Sequence, residues 1–196
     1  MQGVGDGMDD KIKVALIYGS VRKGRFCDKV AGWAAEEIAK DDRFHVEVVD
    51  PVVDLPQAEA EPAQFSRSLW QRIAEADAFV VVTPEYNHGY PAALKSLIDS
   101  VGAEWQAKPV AFVSYGGISG GLRAVEQLRL VFAELHTVTI RDGVSFPGAW
   151  ELFNHAGVLL EPDRPRRSMA AMLTRLHWWA VALRNARGAL PYVSAA

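Results

Sequence analysis

Short apolar runs rich in β-branched residues alternate along the chain with amphipathic segments of helical period. The apolar runs predict five strands, at residues 11–18, 44–49, 78–83, 109–115 and 137–140. The segments between and after them predict helices at residues 26–40, 64–76, 91–101, 122–135 and 166–187. Two stretches without either period, residues 51–64 and 145–165, are expected to be surface loops.

This alternation predicts an α/β fold, because parallel strands need crossover connections and those connections cover both faces of the sheet. We expect a doubly wound five-stranded parallel sheet of order 2-1-3-4-5. A single domain over residues 11–190 is expected, after a disordered tail at residues 1–10 that lacks the features of a signal peptide. Ligands bind such sheets beyond the carboxyl ends of the strands, so the loops after strands one, three and four are the places to examine.

The first of these loops combines small residues, a hydroxyl and basic side chains ahead of a helix. Gly19 and Ser20 allow a tight turn that exposes backbone N–H groups, while Arg22 and Arg25 supply charged donors. Phe26 and Cys27 lead into the helix. A phosphate monoester suits this loop. An ordinary turn with solvated basic residues explains it equally well, since the loop has neither the P-loop nor the dinucleotide-binding pattern.

The second loop, residues 83–91, has a proline near each end and a glycine, Gly89, that is expected to permit an unusual backbone conformation. After Pro84 it presents a carboxylate, an aromatic ring and an amide, in Glu85, Tyr86 and Asn87. These groups suit a planar heterocycle with polar edges. The alternative is a rigid connection whose tyrosine packs on a neighbour.

The third loop, residues 114–123, contains four glycines within six residues. Glycine loses much conformational entropy on folding, so this density needs a reason. Close approach of a flat ligand is the favoured one, and a mobile loop without a ligand is the alternative. Arg123 is expected either to reach a phosphate or ring carbonyl or to form a surface ion pair.

Together the three loops resemble the NAD(P)H-dependent FMN reductase family, which includes quinone, chromate and azo-dye reductases. The most specific match is the string Pro-Glu-Tyr-Asn-x-Gly-x-Pro-x-x-Leu-Lys from residue 84. The resemblance implies a flavodoxin-like fold that binds FMN non-covalently, in a dimer or tetramer with the flavin near a subunit interface. By the same resemblance, Ser20 and Arg22 bind the phosphate and Pro84 to Asn87 run beside the isoalloxazine ring. The resemblance also implies that the ring pocket is completed by Ser114, Tyr115, Gly116 and Gly117. Arg25 and Cys27 stand where many relatives have serine and asparagine, and Arg25 is still expected to bind phosphate.

Composition narrows the function further. The net charge of -3 argues against a nucleic-acid-binding domain and weakly against an acidic electron carrier. No apolar run is long enough to span a bilayer, and the single cysteine, Cys27, excludes an intrachain disulfide framework and a four-cysteine metal site. The histidines are dispersed without metal-ligand spacing. A cytoplasmic protein that binds neither metal, membrane nor nucleic acid is therefore expected.

The predicted activity is hydride transfer from NADPH or NADH through FMN to a small acceptor: free flavin, a quinone, a metal oxyanion or a nitro or azo compound. No catalytic acid or base is assigned, because the cofactor supplies the chemistry. The alternative is a non-catalytic flavin-binding electron carrier or redox sensor. Trp33 and Trp70 are predicted to lie in the core. Trp178 is predicted to be exposed on the last helix, where it suggests the interface of a homodimer or homotetramer.

Overall fold

The computed structural model describes residues 11–55 and 68–192. Five parallel strands form one sheet in the order β2-β1-β3-β4-β5, which confirms the predicted topology. The strands are β1 (Ile12–Tyr18), β2 (Phe44–Val49), β3 (Ala78–Pro84), β4 (Pro109–Gly116) and β5 (Val138–Pro147). The α-helices are α1 (Cys27–Ala39), α2 (Pro51–Asp54), α3 (Leu69–Glu75), α4 (Ala92–Asp99), α5 (Leu122–Glu134), α6 (Ala149–Leu152) and α7 (Asp163–Ala189).

Both faces of the sheet are covered, which explains why its central strands are continuously apolar. Every residue of β3 and β4 is buried. On one face, α1 and α7 pack against alternate strand residues such as Leu16, Val80 and Val113. On the other face, α4, α5 and the buried Trp105 pack against the intervening residues, such as Phe79. This two-sided burial is what parallel sheets require.

The fifth strand is longer than the sequence predicts. β5 runs through a polar stretch, Arg141–Gly143, and its register with β4 shifts between Val110 and Phe112. At Gly143 a Cβ would lie 2.8 Å from the carbonyl oxygen of Phe112, so only glycine fits against β4 there. The prediction of a strand ending at residue 140 was wrong because the irregular register interrupts the apolar pattern.

The two predicted loops contain helices. Residues 145–165 hold the end of β5, the short helix α6 and the first turn of α7. Pro165 is tolerated there because the first turn of a helix needs no N–H donor from it. In the other predicted loop, residues 51–54 form α2, capped by the Asp50 side chain, which accepts a hydrogen bond from the Val52 N–H. Residues 56–64 of that loop, and the predicted tail at residues 1–10, lie outside the described residues.

The tryptophans divide differently from the prediction. Trp33 is buried and Trp178 is exposed, as predicted, but Trp70 is 55% exposed. Helix α3 has only seven residues, and its buried side is set by Ile73, with Leu69 packed beside it. Trp70 follows Leu69 and lies about 100° further round the helix, so it faces away from the core.

Candidate functional site

The first loop starts on a glycine that the sheet itself requires. A Cβ on Gly19 would lie 2.7 Å from the carbonyl oxygen of Val82, and the Gly19 N–H donates to that same oxygen at 2.8 Å. Within the described part of the chain, the N–H groups of Val21, Lys23 and Gly24 find no acceptor. The loop therefore presents backbone donors ahead of the N-terminus of α1, an arrangement that suits an anion.

The first and second loops are joined by side chains. Ser20 is fully buried, and a hydrogen bond of 2.8 Å connects its Oγ to Tyr86 Oη. The Arg22 guanidinium covers the Tyr86 ring, with Cζ 3.6 Å from the ring centroid, a cation–π contact. Two of the residues predicted to bind phosphate thus meet a residue that was predicted to lie beside the flavin ring.

Arg25 is held by carboxylates. Its guanidinium forms a bidentate pair with Asp50, donates to Asp28 Oδ1 at 2.7 Å, and donates to the Ser20 carbonyl oxygen at 2.5 Å. Burial opposes ionisation of Asp50, but the hydrogen bonds from Arg25 and the Val52 N–H outweigh burial and lower the pKa of Asp50. The donors of Arg25 are therefore engaged within the chain, and they fix the position of the Ser20 backbone.

Phe26 and Cys27 lie beneath the loop. Phe26 is partly buried, with its ring centroid 5.9 Å from that of Tyr115 and 5.7 Å from that of Phe153. Cys27 is fully buried, and burial raises the pKa of its thiol. Tyr115 is buried as well, and its hydroxyl has no hydrogen-bond partner among the described residues. These side chains pack in the core, so contact of Cys27 with a ligand on the loop would come through its backbone.

The second loop is a tight turn. Tyr86 and Gly89 exchange two backbone hydrogen bonds, at 2.9 and 3.0 Å. Asn87 and His88 occupy the two central positions with φ of 50° and 73°, and both are exposed. The unusual backbone conformation therefore falls on these two residues, which corrects the expectation for Gly89. A Cβ on Gly89 would instead lie 3.1 Å from Gln127 Oε1.

Glu85 connects the second loop to the third. Its carboxylate accepts hydrogen bonds from Ser119 Oγ at 2.7 Å and from the N–H and guanidinium of Arg123 at 3.2 and 2.9 Å. Burial opposes ionisation of Glu85, but these donors outweigh burial and lower its pKa. Arg123 is thus the partner of an ion pair, one of the two roles expected for it. The two loops are held together as one unit.

Most of the glycines in the third loop are explained by contacts within the chain. A Cβ on Gly121, where φ is +85°, would lie 2.8 Å from the Tyr115 nitrogen, and one on Gly120 would lie 2.9 Å from the Pro147 nitrogen. On Gly116 it would lie 3.2 Å from the Gly121 nitrogen. On Gly117, by contrast, it would meet only the Trp150 ring, at 3.8 Å. Contacts within the chain thus give a reason for three of the four glycines, and for Gly117 close approach of a ligand stays the prediction.

The two remaining predicted residues, Pro84 and Ser114, lie in the core. Pro84 ends β3 and is buried, and the buried Ser114 donates to the Gly120 carbonyl oxygen at 2.8 Å, beneath the third loop. The carboxyl edge of the sheet thus presents the backbone N–H groups that follow Ser20, the exposed Arg22 and the open backbone of Gly117, while the Ser20 hydroxyl is buried against Tyr86. A phosphate needs charged and backbone donors, and a flat ring needs a face without a side chain, so these residues fit FMN.

Sequence reasoning missed two residues at this edge. Asp50, at the end of β2, holds Arg25, and Trp150, on α6, lies beside Gly117. The position of Asp50 directly after a predicted strand was a signal that it lies at the same edge. Trp150 carried no such signal, because α6 was predicted to be loop.

The chain matches the model of the NADPH-dependent FMN reductase family over residues 12–151. It is 34% identical to a quinone reductase of Pseudomonas putida KT2440 over 187 residues, which cover 88% of this chain and 96% of that protein. It is 38% identical to an NAD(P)H-dependent FMN reductase of Schizosaccharomyces pombe over 120 residues, 56% of this chain and 60% of the relative. The chain therefore belongs to the NADPH-dependent FMN reductase family.

Solved structures agree on the fold. A flavoenzyme NAD(P)H:(acceptor) oxidoreductase, FerB, from Paracoccus denitrificans superposes with a TM-score of 0.67 at 22% identity, over 87% of this chain and 98% of its own. An oxidoreductase of Corynebacterium diphtheriae gives the same TM-score at 17% identity, over 88% and 98% of the two chains. The flavodoxin-like fold and the family predicted from sequence are thus confirmed. Membership of the family also confirms the predicted oxidoreductase class and the predicted use of FMN and NAD(P)H.

Within residues 11–55 and 68–192, none of the helices is both long and apolar enough to cross a membrane. No group of three or more histidine, cysteine, aspartate or glutamate side chains in the same ranges is arranged to hold a metal ion.

Proposed function

We propose that this protein binds FMN across the carboxyl edge of its sheet and uses NADPH or NADH to reduce a small acceptor, either free flavin, a quinone, a metal oxyanion or a nitro or azo compound. The observation that carries the proposal is the junction of Ser20, Arg22 and Tyr86. It brings the donors suited to a phosphate against the loop suited to a flavin ring. The relatives named as FMN and quinone reductases support the same activity.

Each loop has a separate task in this proposal. Ser20, Arg22 and the free N–H groups that follow hold the phosphate, together with the N-terminus of α1. Tyr86 orients Arg22 and Ser20, and its hydroxyl belongs to the phosphate end of the site. Arg25, predicted as a phosphate ligand, is proposed instead to position the loop, because its donors bind Asp50, Asp28 and the Ser20 carbonyl.

The ring end of the site consists of the backbone from Pro84 to Asn87 and of Gly116 and Gly117. Bound FMN supplies the redox chemistry, since it accepts a hydride from a nicotinamide and passes two electrons on. These loops would hold the ring of the cofactor at the carboxyl edge of the sheet. The link from Glu85 to Ser119 and Arg123 keeps the two ring loops at a constant spacing.

Reduction by NAD(P)H distinguishes this enzyme from a carrier or sensor. The purified protein is loaded with FMN, freed of oxygen and mixed with NADPH or NADH in a stopped-flow spectrometer. Rapid loss of the visible flavin absorbance, followed by its return on addition of a quinone, is expected. FMN that binds but stays oxidised for minutes would favour the carrier or sensor, and failure to bind FMN would refute the proposal. The faster reductant identifies the preferred nicotinamide.

A homodimer or homotetramer in the cytoplasm completes the proposal. Trp178 is 62% exposed and Trp179 packs edge-on against it, with ring centroids 5.0 Å apart, so α7 presents an aromatic pair to solvent. Exposed aromatic residues are enriched in interfaces. Light scattering after gel filtration tests the assembly, and a monomer at micromolar concentration would refute it.

A further inference from the structure

A lysine is buried at the amino edge of the sheet, opposite the edge that carries the candidate site. Lys108 directly precedes β4 and is only 5% exposed. Its Nζ donates hydrogen bonds to the carbonyl oxygen of Ile73 at 2.8 Å and to that of Ala74 at 2.7 Å. These carbonyls lie in the last turn of α3, where an α-helix has no N–H of its own to offer them. Lys108 therefore caps the end of α3.

Two acceptors satisfy a neutral amine but not an ammonium group. An ammonium has three N–H donors, whereas a neutral amine has two and a free lone pair. Among residues 11–55 and 68–192, the Lys108 Nζ has no third hydrogen-bond partner and no ion-pair partner. The Phe79 ring, with its centroid 5.7 Å from Nζ, is a weak partner for a charge. The neutral form of Lys108 thus keeps both hydrogen bonds and leaves no donor unpaired.

The surroundings of Lys108 also favour the neutral form. Burial, and the positive charge of Arg187 on α7, oppose the ammonium, while Asp77 before β3 and Glu104 in the 3-10 helix Ala103–Trp105 favour it. Burial dominates, and the pKa of Lys108 falls to about 8. At a pH of about 7.5, roughly a quarter of Lys108 is then neutral, against about 0.1% of a lysine with the ordinary pKa of about 10.4.

The amine lines an open cavity of about 330 Å³. The other side chains in its lining include Glu104 and Arg187, which carry opposite charges, and the polar Gln106 and Tyr192. A small reagent has room in this volume beside Nζ. Lys108 is therefore a neutral amine that is buried among protein groups on one side and borders a cavity on the other.

We propose that Lys108 is a modification site, at which small acyl phosphates transfer their acyl group to the buried amine. The Nζ lone pair attacks the acyl carbon, an N–C bond forms, and the bond from that carbon to the phosphate oxygen breaks. Phosphate leaves with the electron pair of the broken bond and takes up the proton that Nζ loses.

The product explains why an acyl group suits this position. An amide is uncharged, which favours burial, and its remaining N–H keeps one of the two hydrogen bonds to α3. An iminium formed from an aldehyde would retain the positive charge. A carbamate formed from carbon dioxide would add a negative charge near Asp77 and Glu104.

The labelling rates of two lysines in the same molecule test the inference. The purified protein is incubated with acetyl phosphate at a pH of about 7.5, and acetylation of each lysine is followed by peptide mass spectrometry. Lys95 is the internal control, because its hydrogen bond to Asp99 raises its pKa while 39% of its side chain is exposed. Lys108 is expected to be acetylated about tenfold faster than Lys95, since it supplies far more neutral amine. Faster or equal labelling of Lys95 would show that exposure decides the rate and would overturn the inference.

The pH profile gives a second readout. Acetylation of Lys108 should level off above a pH of about 8, whereas that of Lys95 should continue to rise. Arg187→Gln removes the neighbouring positive charge, so it should move the Lys108 profile to higher pH and slow labelling at a pH of about 7.5 by about threefold. The matched control is Arg175→Gln, at an exposed position of the same helix, and it should leave the profile unchanged.

Thermal unfolding checks that both variants are folded. A wild-type Lys108 profile that rises in parallel with that of Lys95 would overturn the inference. So would an Arg187→Gln profile identical to that of the wild type.

Discussion

Removal of the Tyr86 hydroxyl is the most direct test of which residues bind the phosphate of FMN and which bind its ring. Tyr86→Phe removes one oxygen and keeps the ring on which Arg22 lies. The fully buried Ser20 Oγ then keeps only a long contact of 3.4 Å from the Arg22 N–H. A neutral hydrogen bond contributes about 1 kcal/mol and one to a charged group about 2 kcal/mol. The Kd for FMN should therefore rise by about 5- to 30-fold.

Riboflavin provides the internal control, because it has the same ring and side chain as FMN but no phosphate. Both flavins are titrated against the apoprotein, with flavin fluorescence as the signal. If Tyr86 belongs to the phosphate end, the Kd for riboflavin should change by less than about twofold. An equal loss of affinity for both flavins would place the tyrosine at the ring and refute the division proposed above. Thermal unfolding of the apoprotein checks that the variant is folded.

Three further variants test the framework around the site. Gly121→Ala should lower the free energy of unfolding by about 3 kcal/mol, because φ at Gly121 is +85° and a Cβ there would overlap the Tyr115 backbone. Gly117→Ala should change that free energy by less than about 1 kcal/mol. Urea denaturation compares the two variants, and equal effects would contradict the packing argument. Asp50→Asn should cost about 1–3 kcal/mol at neutral pH, since it removes the partner of a largely buried guanidinium. The pKa of Asp50 is lowered in the folded protein, so the stabilisation is fully present above the ordinary pKa of about 4 and is lost as the pH falls below it. The variant and wild type should therefore converge in stability in acid, and a constant difference down to pH of about 2 would refute the assignment. The Cys27 thiol should react with a disulfide reagent only at the rate of unfolding, because the thiol is buried and its pKa is raised. Mass spectrometry follows the labelling, and rapid labelling of the native protein would contradict this prediction.

Much of the fold could be predicted because its parallel strands are buried on both faces. β3 and β4 are continuous apolar runs for that reason, and their bounds agree with the prediction to within one residue. β5 lies at the edge of the sheet, and its irregular pairing admits Arg141, Asp142 and Gly143 into the strand. These polar residues interrupt the run of apolar residues by which a strand is predicted. Trp70 was misplaced because the orientation of a helix of seven residues depends on which residue begins it.

The location of the candidate site was predictable, but its internal contacts were not. The carboxyl edges of parallel strands bring three loops together whatever their residues. Which side chains then meet depends on tertiary geometry. The Tyr86 hydroxyl lies on Ser20, 66 residues earlier, and Arg25 meets Asp50, 25 residues later. Nothing in the local sequence distinguishes an arginine that binds a ligand from one that binds an aspartate.

The pairing of Arg25 with Asp50 has a consequence for how this protein diverged from its relatives. Either residue without the other would leave a charge with little access to water and no partner, which is costly. Acquisition of the arginine in the first loop therefore favours an aspartate at the end of β2, and loss of one residue favours loss of the other. Among sequences descended from a common ancestor with this chain, the two positions are expected to change together, so that the first loop is anchored to the end of β2 wherever both residues occur.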